Sequence, residues 1–278
     1  MPEKKTVLIT GGNAGIGLAA ATEIALSGAQ IILACRNQAK AAHARQNILA
    51  AKPDADVQIH SLDLSSFAGI RNFSAQFLAG NPSLDVLINN AGIMPTTQQF
   101  TEDGFEMQFG VNYLGHFLLT HLLMPGLKKV PEARIIHLGS IMHNLSGLNF
   151  DSFRERKRYF GISAYAQSKL ANLMFSYELA RRLPPSITSN ALHPGGVDSE
   201  IYRDLPKPVY WTMKPFLITA QRAAQLIRNM ALSDEWKGVT GQFKSAHGPL
   251  PVSRAAKNAE LRRRLYEDSC KMTGVEPL

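Results

Sequence analysis

Residues 7–29 read VLITGGNAGIGLAAATEIALSGA. An apolar, β-branched run enters three glycines, Gly11, Gly15 and Gly17, and an Ala-rich stretch follows. That is a strand turning directly into a helix. Two readings of the glycines stand. They relieve a tight turn, or they let backbone N–H groups approach a phosphate at the helix N-terminus. The GxxxGxG spacing differs from the commoner GxGxxG, but the physics of close backbone approach and helix dipole is shared.

Moving outward, β-type runs alternate with helix-length segments. The expected strands are Thr6–Thr10, Gln30–Ala34, Val57–His60, Val86–Asn89, Arg134–Leu138 and Thr188–Leu192, with a weaker one near Gly241–Lys244. The expected helices are Gly15–Ser27, Gln38–Ala51, Ser65–Leu78, Gly104–Leu127 and Ala164–Leu183. Near-continuous apolar strands separated by helices predict an α/β fold, a doubly wound parallel sheet of about seven strands with helices on both faces. No repeat or low-complexity linker interrupts the 278 residues, so a single domain spanning 1–278 is expected. In such a fold ligands bind beyond the carboxyl ends of the strands. Gly11, the run Asn90-Ala91-Gly92, and Gly139-Ser140 each follow a strand there.

Composition excludes some function classes. No window of 18 uncharged apolar residues exists, so no membrane span is expected. The opening MPEKK carries no signal-peptide pattern, and the only cysteines are Cys35 and Cys270, which together fit a cytoplasmic protein. There is no His/Cys cluster, so no metal site is expected, and His116, His121 and His193 read as ordinary helix or turn histidines. The formal charge of +8 suits phosphate-bearing ligands, acidic surfaces or nucleic acid. For nucleic acid only the charge and Arg262-Arg263-Arg264 speak, with no recognised motif, and none is expected as partner.

The second strand ends Ala34-Cys35-Arg36-Asn37. Sites that prefer NAD place an acidic residue near this tip to hold the ribose 2′-OH. Here the acid is missing and a guanidinium is present, which favours a 2′-phosphate and therefore NADP(H). The bland alternative is a solvated strand end. Further on, SAYAQSKLANLMF holds Tyr165 and Lys169 four residues apart, on one face of a helix. A cation beside a phenol favours phenolate and suits acid/base work.

The order of these pieces resembles the short-chain dehydrogenase/reductase family, over nearly the whole chain. The matching residues are TGGNAGIG at 10–17, Asp63-Leu64, NNAG at 89–92, Asn112, Ser140, Tyr165 with Lys169, and Pro194-Gly195. The stretches ACRN, VNYLGHFLLTHLL, SKLANLMFSYELARRL and LHPGGVDSE are similar to the retinol dehydrogenase branch, which includes relatives of light-dependent protochlorophyllide reductase. The resemblance implies that Tyr165 is the general acid, with Lys169 lowering its pKa and holding the nicotinamide ribose. It implies that Ser140 bonds the substrate oxygen and that Asn112 kinks its helix to seat a proton-relaying water. It implies cofactor contacts from Gly11, Asn13, Gly15, Ile16 and Gly17, from Arg36 and Asn37, and from Asp63 and Leu64 about the adenine. Asn90, Ala91 and Gly92 would line the ribose and nicotinamide, and Pro194, Gly195, Val197 and Ser199 would close the carboxamide side. Gly139 stands where relatives have a first serine, and Ser199 where they have threonine.

The expected activity is NADP(H)-dependent interconversion of a carbonyl and an alcohol on a bulky, apolar small molecule. Residues 198–218 carry Tyr202, Tyr210, Trp211, Met213 and Phe216 among prolines, either as a substrate lid or as a helix packed on the core. The basic run 154–158 reads as a solvated face. Reduction of a C=C bond or epimerisation would use the same scaffold. A non-catalytic NADP(H)-sensing module is the rival from another class, and a homo-oligomer is compatible with the sequence.

Overall fold

The computed structural model describes residues 4–195, 219–246 and 248–278. Its centre is a seven-stranded sheet in which every pairing is parallel. The strands are β1 (Thr6–Thr10), β2 (Gln30–Cys35), β3 (Val57–Ser61), β4 (Val86–Asn89), β5 (Ala133–Leu138), β6 (Ile187–His193) and β7 (Phe243–Ser245). Val7, Leu8 and Ile9 are fully buried because helices cover both faces of β1, which is why the strand carries no polar alternation.

On one face lie α1 (Gly15–Leu26), α2 (Gln38–Ala51) and α7 (Ala220–Leu232), packing Ala21, Ile24, Ile48 and Ile227 against Val7, Ile9 and Ile31. On the other lie α3 (Phe67–Gly80), α5 (Gly115–Leu127), α6 (Gly161–Arg182) and α9 (Ala259–Thr273), packing Phe77, Phe117, Phe175 and Tyr266 against Leu8, Leu87 and Ile135. Each such side chain contributes roughly 1.5–3 kcal/mol when fully buried. The short helices α4 (Met107–Phe109) and α8 (Arg254–Lys257) complete the framework. Among the described residues no helix is long and apolar enough to cross a membrane.

The strand order is β3-β2-β1-β4-β5-β6-β7. The chain winds outward from β1 to β3, then returns to lay β4 on the other side of β1. The connections leaving β1 and β4 therefore diverge, and a crevice opens at their carboxyl ends.

The long helix expected over Gly104–Leu127 starts later and is not uniform. Gly104 sits in a turn at φ 75°, and Phe100 pairs with Glu106 in an isolated antiparallel bridge. The buried Glu106 carboxylate then accepts from the N–H groups of Gln108 and Phe109 and starts the helix at Met107. Residues Gly110–Leu114 form a π-helical turn before α5. Helices α7 and α9 had no expected counterpart. α9 packs on α6, on the π-helical turn, where Tyr113 meets Ser269, and on α5, where His121 meets Tyr266.

Candidate active site

The crevice holds a cavity of about 490 Å³ between the carboxyl ends of β1, β2, β4 and β5. The glycine loop forms one wall. Gly11 and Gly15 turn at φ 64° and 53°, which a side chain rarely allows. A Cβ on Gly17 would overlap the Gly11 carbonyl oxygen and come within 2.6 Å of Asn90 Nδ2, so the start of α1 can reach β4 only through glycine. The N-cap of α1, Ala14, offers no side-chain acceptor. The first-turn N–H groups at Gly15, Ile16 and Gly17 thus border the cavity as an uncapped helix terminus, which suits an anion.

At the end of β2, Arg36 lines the cavity, is exposed, and makes no hydrogen bond or ion pair among the described residues. Asn37 beside it caps α2, its Oδ1 accepting from Lys40 N at 2.9 Å. Asp63 closes a small turn by accepting from Ser65 N and Oγ at 2.9 and 2.7 Å, and both it and Leu64 border the cavity. An uncapped helix, a close backbone approach and a guanidinium at the strand end together can hold a phosphate-bearing dinucleotide.

The opposite end gathers a phenol and an ammonium. α6 places Tyr165 and Lys169 one turn apart, both on the cavity wall, with Lys169 Nζ 5.5 Å from the Tyr165 ring centre. Lys169 is 3% exposed, and its Nζ donates to the Leu138 carbonyl at the end of β5 at 2.9 Å. Burial pushes its pKa down to about 8. Asn112 lies in the π-helical turn, fully buried, and does not itself line the cavity. Its Oδ1 accepts from Ile93 N at 2.8 Å, and its Nδ2 donates to the Ile93 carbonyl and to Ser168 Oγ, each at 3.0 Å. Ser140 follows Gly139, which borders the cavity, and its hydroxyl accepts from Met142 N at 3.2 Å as the cap of the turn Ile141–Leu145. Pro194 borders the cavity and Gly195 turns at φ 96°. Val197, Ser199 and residues 198–218 lie outside the described residues.

Beyond Lys169 the wall becomes apolar, with Ile93, Met94, Met107 and Val111. These residues, and Lys40 on α2, were not singled out from the sequence. Lys40 follows Arg36 by four residues, but Arg36 precedes the Asn37 cap of α2, so no shared helical face links the two in the sequence. Met94 lies on the turn after β4 and Met107 at the start of α4, and only the fold brings them together. In the basic run Arg154, Glu155, Lys157 and Arg158 are exposed and Arg156 is half-buried; Arg154 also lies 4.3 Å over the Phe105 ring and donates to the Asp103 carbonyl at 3.2 Å. Among the described residues, no group of three or more His, Cys, Asp or Glu is placed to hold a metal ion.

A family model described as short chain dehydrogenase matches residues 5–209. Mouse retinol dehydrogenase 12 is 41% identical over 275 residues, covering 98% of this chain and 87% of that protein. Human retinol dehydrogenase 11 is 40% identical over 274 residues, covering 98% and 86%. The solved structure of an uncharacterized Mycobacterium paratuberculosis protein superposes with a TM-score of 0.79 at 34% identity, covering 99% of this chain and 95% of that one. On this evidence the chain belongs to the short-chain dehydrogenase/reductase family of oxidoreductases.

Proposed function

We propose that this protein interconverts a carbonyl and an alcohol on a bulky apolar molecule, using NADP(H) and Tyr165 as the general acid/base. The observation that carries the reading is one cavity bordered at one end by Arg36 and the uncapped start of α1, and at the other by Tyr165 and Lys169. When bound, the dinucleotide supplies or accepts the hydride.

The chain's own residues would do the rest. The N–H groups at the start of α1 hold the pyrophosphate, and Arg36 pairs with the 2′-phosphate. The Tyr165 hydroxyl gives its proton to the substrate oxygen during reduction and takes it back during oxidation. The Lys169 ammonium stands beside that phenol and favours its ionised form, so the proton leaves readily. Ser140 Oγ, next to the cavity-bordering Gly139, accepts from Met142 N and can still donate its own proton to the substrate oxygen. The apolar surface of Met94, Met107 and Val111 excludes water and selects an apolar substrate.

The test is a screen of NADPH oxidation by the purified protein against apolar aldehydes, ketones, quinones and enones. Turnover of aldehydes or ketones supports the reading. Turnover of enones alone, or NADPH binding with no turnover of any class, overturns it.

A further inference from the structure

Residues 90–93 form the strip of cavity wall that runs from the glycine loop to Lys169. Its two ends are held by different side chains. Thr10 Oγ1 accepts from the N–H groups of Asn90 and Ala91 at 2.9 and 3.0 Å. Asn112 grips Ile93 through both the N–H and the carbonyl. Gly92 lies between them, where an added Cβ would meet Lys169 Nζ at 3.5 Å and Asn112 Oδ1 at 3.6 Å.

One buried side chain touches both holders. His116 Nδ1 is 3.0 Å from the Asn112 carbonyl oxygen, and its Nε2 is 2.8 Å from Thr10 Oγ1. A carbonyl only accepts, so Nδ1 carries the ring proton and donates. In the neutral ring Nε2 is then an acceptor. Thr10 has one proton to give, and Nε2 at 2.8 Å outcompetes the Ile88 carbonyl at 3.4 Å. With its proton committed to His116, Thr10 turns its lone pairs to the two amides. Burial keeps the ring neutral by pushing its pKa down to about 4, so the arrangement holds across neutral pH.

We propose that His116 is a positioning residue: by tying Thr10 to the Asn112 backbone, it sets the 90–93 strip for the nicotinamide half of the dinucleotide. This rests on the dinucleotide reading given above. His116 touches neither cofactor nor substrate and acts only through Thr10 and the π-helical turn.

The experiment titrates the full-length protein with NADPH and, separately, with adenosine 2′,5′-bisphosphate, which carries only the adenine end. His116→Phe is expected to weaken NADPH about tenfold, the loss of one buried hydrogen-bonded link, while the adenine fragment stays within about twofold. His116→Gln, which keeps a donor and an acceptor, restores most of the affinity. His116→Phe added to Thr10→Val costs little beyond Thr10→Val alone, because the two act in series. If His116→Phe does not fold, the shorter His116→Asn, which cannot reach Thr10, carries the same expectation. Equal losses on both ligands, unchanged NADPH affinity, no rescue by glutamine, or additive losses would overturn the proposal. A wild-type protein that binds neither ligand overturns the dinucleotide reading itself, and this proposal with it.

Discussion

Lys169 Nζ donates to the Leu138 carbonyl at 2.9 Å, joining α6 to the end of β5 at the cavity wall. The link fixes how far into the site the ammonium reaches. It also leaves the cation buried with a neutral partner, which explains why its pKa falls to about 8.

Lys169→Met should therefore separate catalysis from stability. A buried charge is replaced by an apolar chain of similar length, so stability should change by no more than about 1–2 kcal/mol in either direction. Turnover should fall by roughly a hundredfold or more, since the phenol loses its cationic neighbour. Thermal unfolding and steady-state kinetics on the same preparation check both halves. A protein that loses stability heavily while keeping turnover would show that the lysine serves the fold.

Arg36 is the candidate for cofactor choice. NADPH should bind the wild-type protein more tightly than NADH by about tenfold to a hundredfold, the value of one charge-assisted, partly exposed contact. Arg36→Asp should reverse the order. Equal fluorescence titration curves for the two cofactors on the wild-type protein contradict the assignment.

The glycine loop predicts a steric effect. Gly17→Ala would drive a methyl group into the Gly11 carbonyl and Asn90, and the start of α1 must then retreat from β4. A loss of about 1–3 kcal/mol in stability is expected, together with weaker NADPH binding. Urea unfolding and cofactor titration measure the two effects. An alanine variant indistinguishable from wild type in both would mean that the approach of α1 to β4 is not sterically tight.

Acid should destabilise the fold through its buried histidines. Burial lowers His116 and His121 to about 4 and His137 to about 3, from the ordinary imidazole value of 6.5. Between about pH 6.5 and pH 4 the unfolded chain takes up protons that the folded chain refuses, so stability is full above that window and declines as pH falls through it. Urea midpoints measured from neutral pH down to about pH 4.5 should drop steadily. A flat profile over that range contradicts the neutral buried state of these rings.

The sheet was legible because its strands are covered on both faces and therefore nearly all apolar, as in Val7, Leu8 and Ile9. The glycine loop and the Tyr165/Lys169 pair were legible because each is a local pattern, read within one turn of chain. The π-helical turn at Gly110–Leu114 was not, since an apolar helical period continues through it unchanged. His116 looked ordinary for a related reason. Its meaning lies in Thr10, which is 106 residues away. The apolar wall of Met94, Met107 and Val111 likewise exists only once the turn after β4 and the start of α4 are brought together.

Tyr165→Phe tests the central claim most directly, because it removes one hydroxyl and keeps the ring. On an aldehyde or ketone established as a substrate, kcat should fall by roughly a hundredfold to ten-thousandfold, with NADPH affinity close to that of the wild type. Near wild-type turnover by the phenylalanine variant would contradict the assignment of Tyr165 as the proton donor.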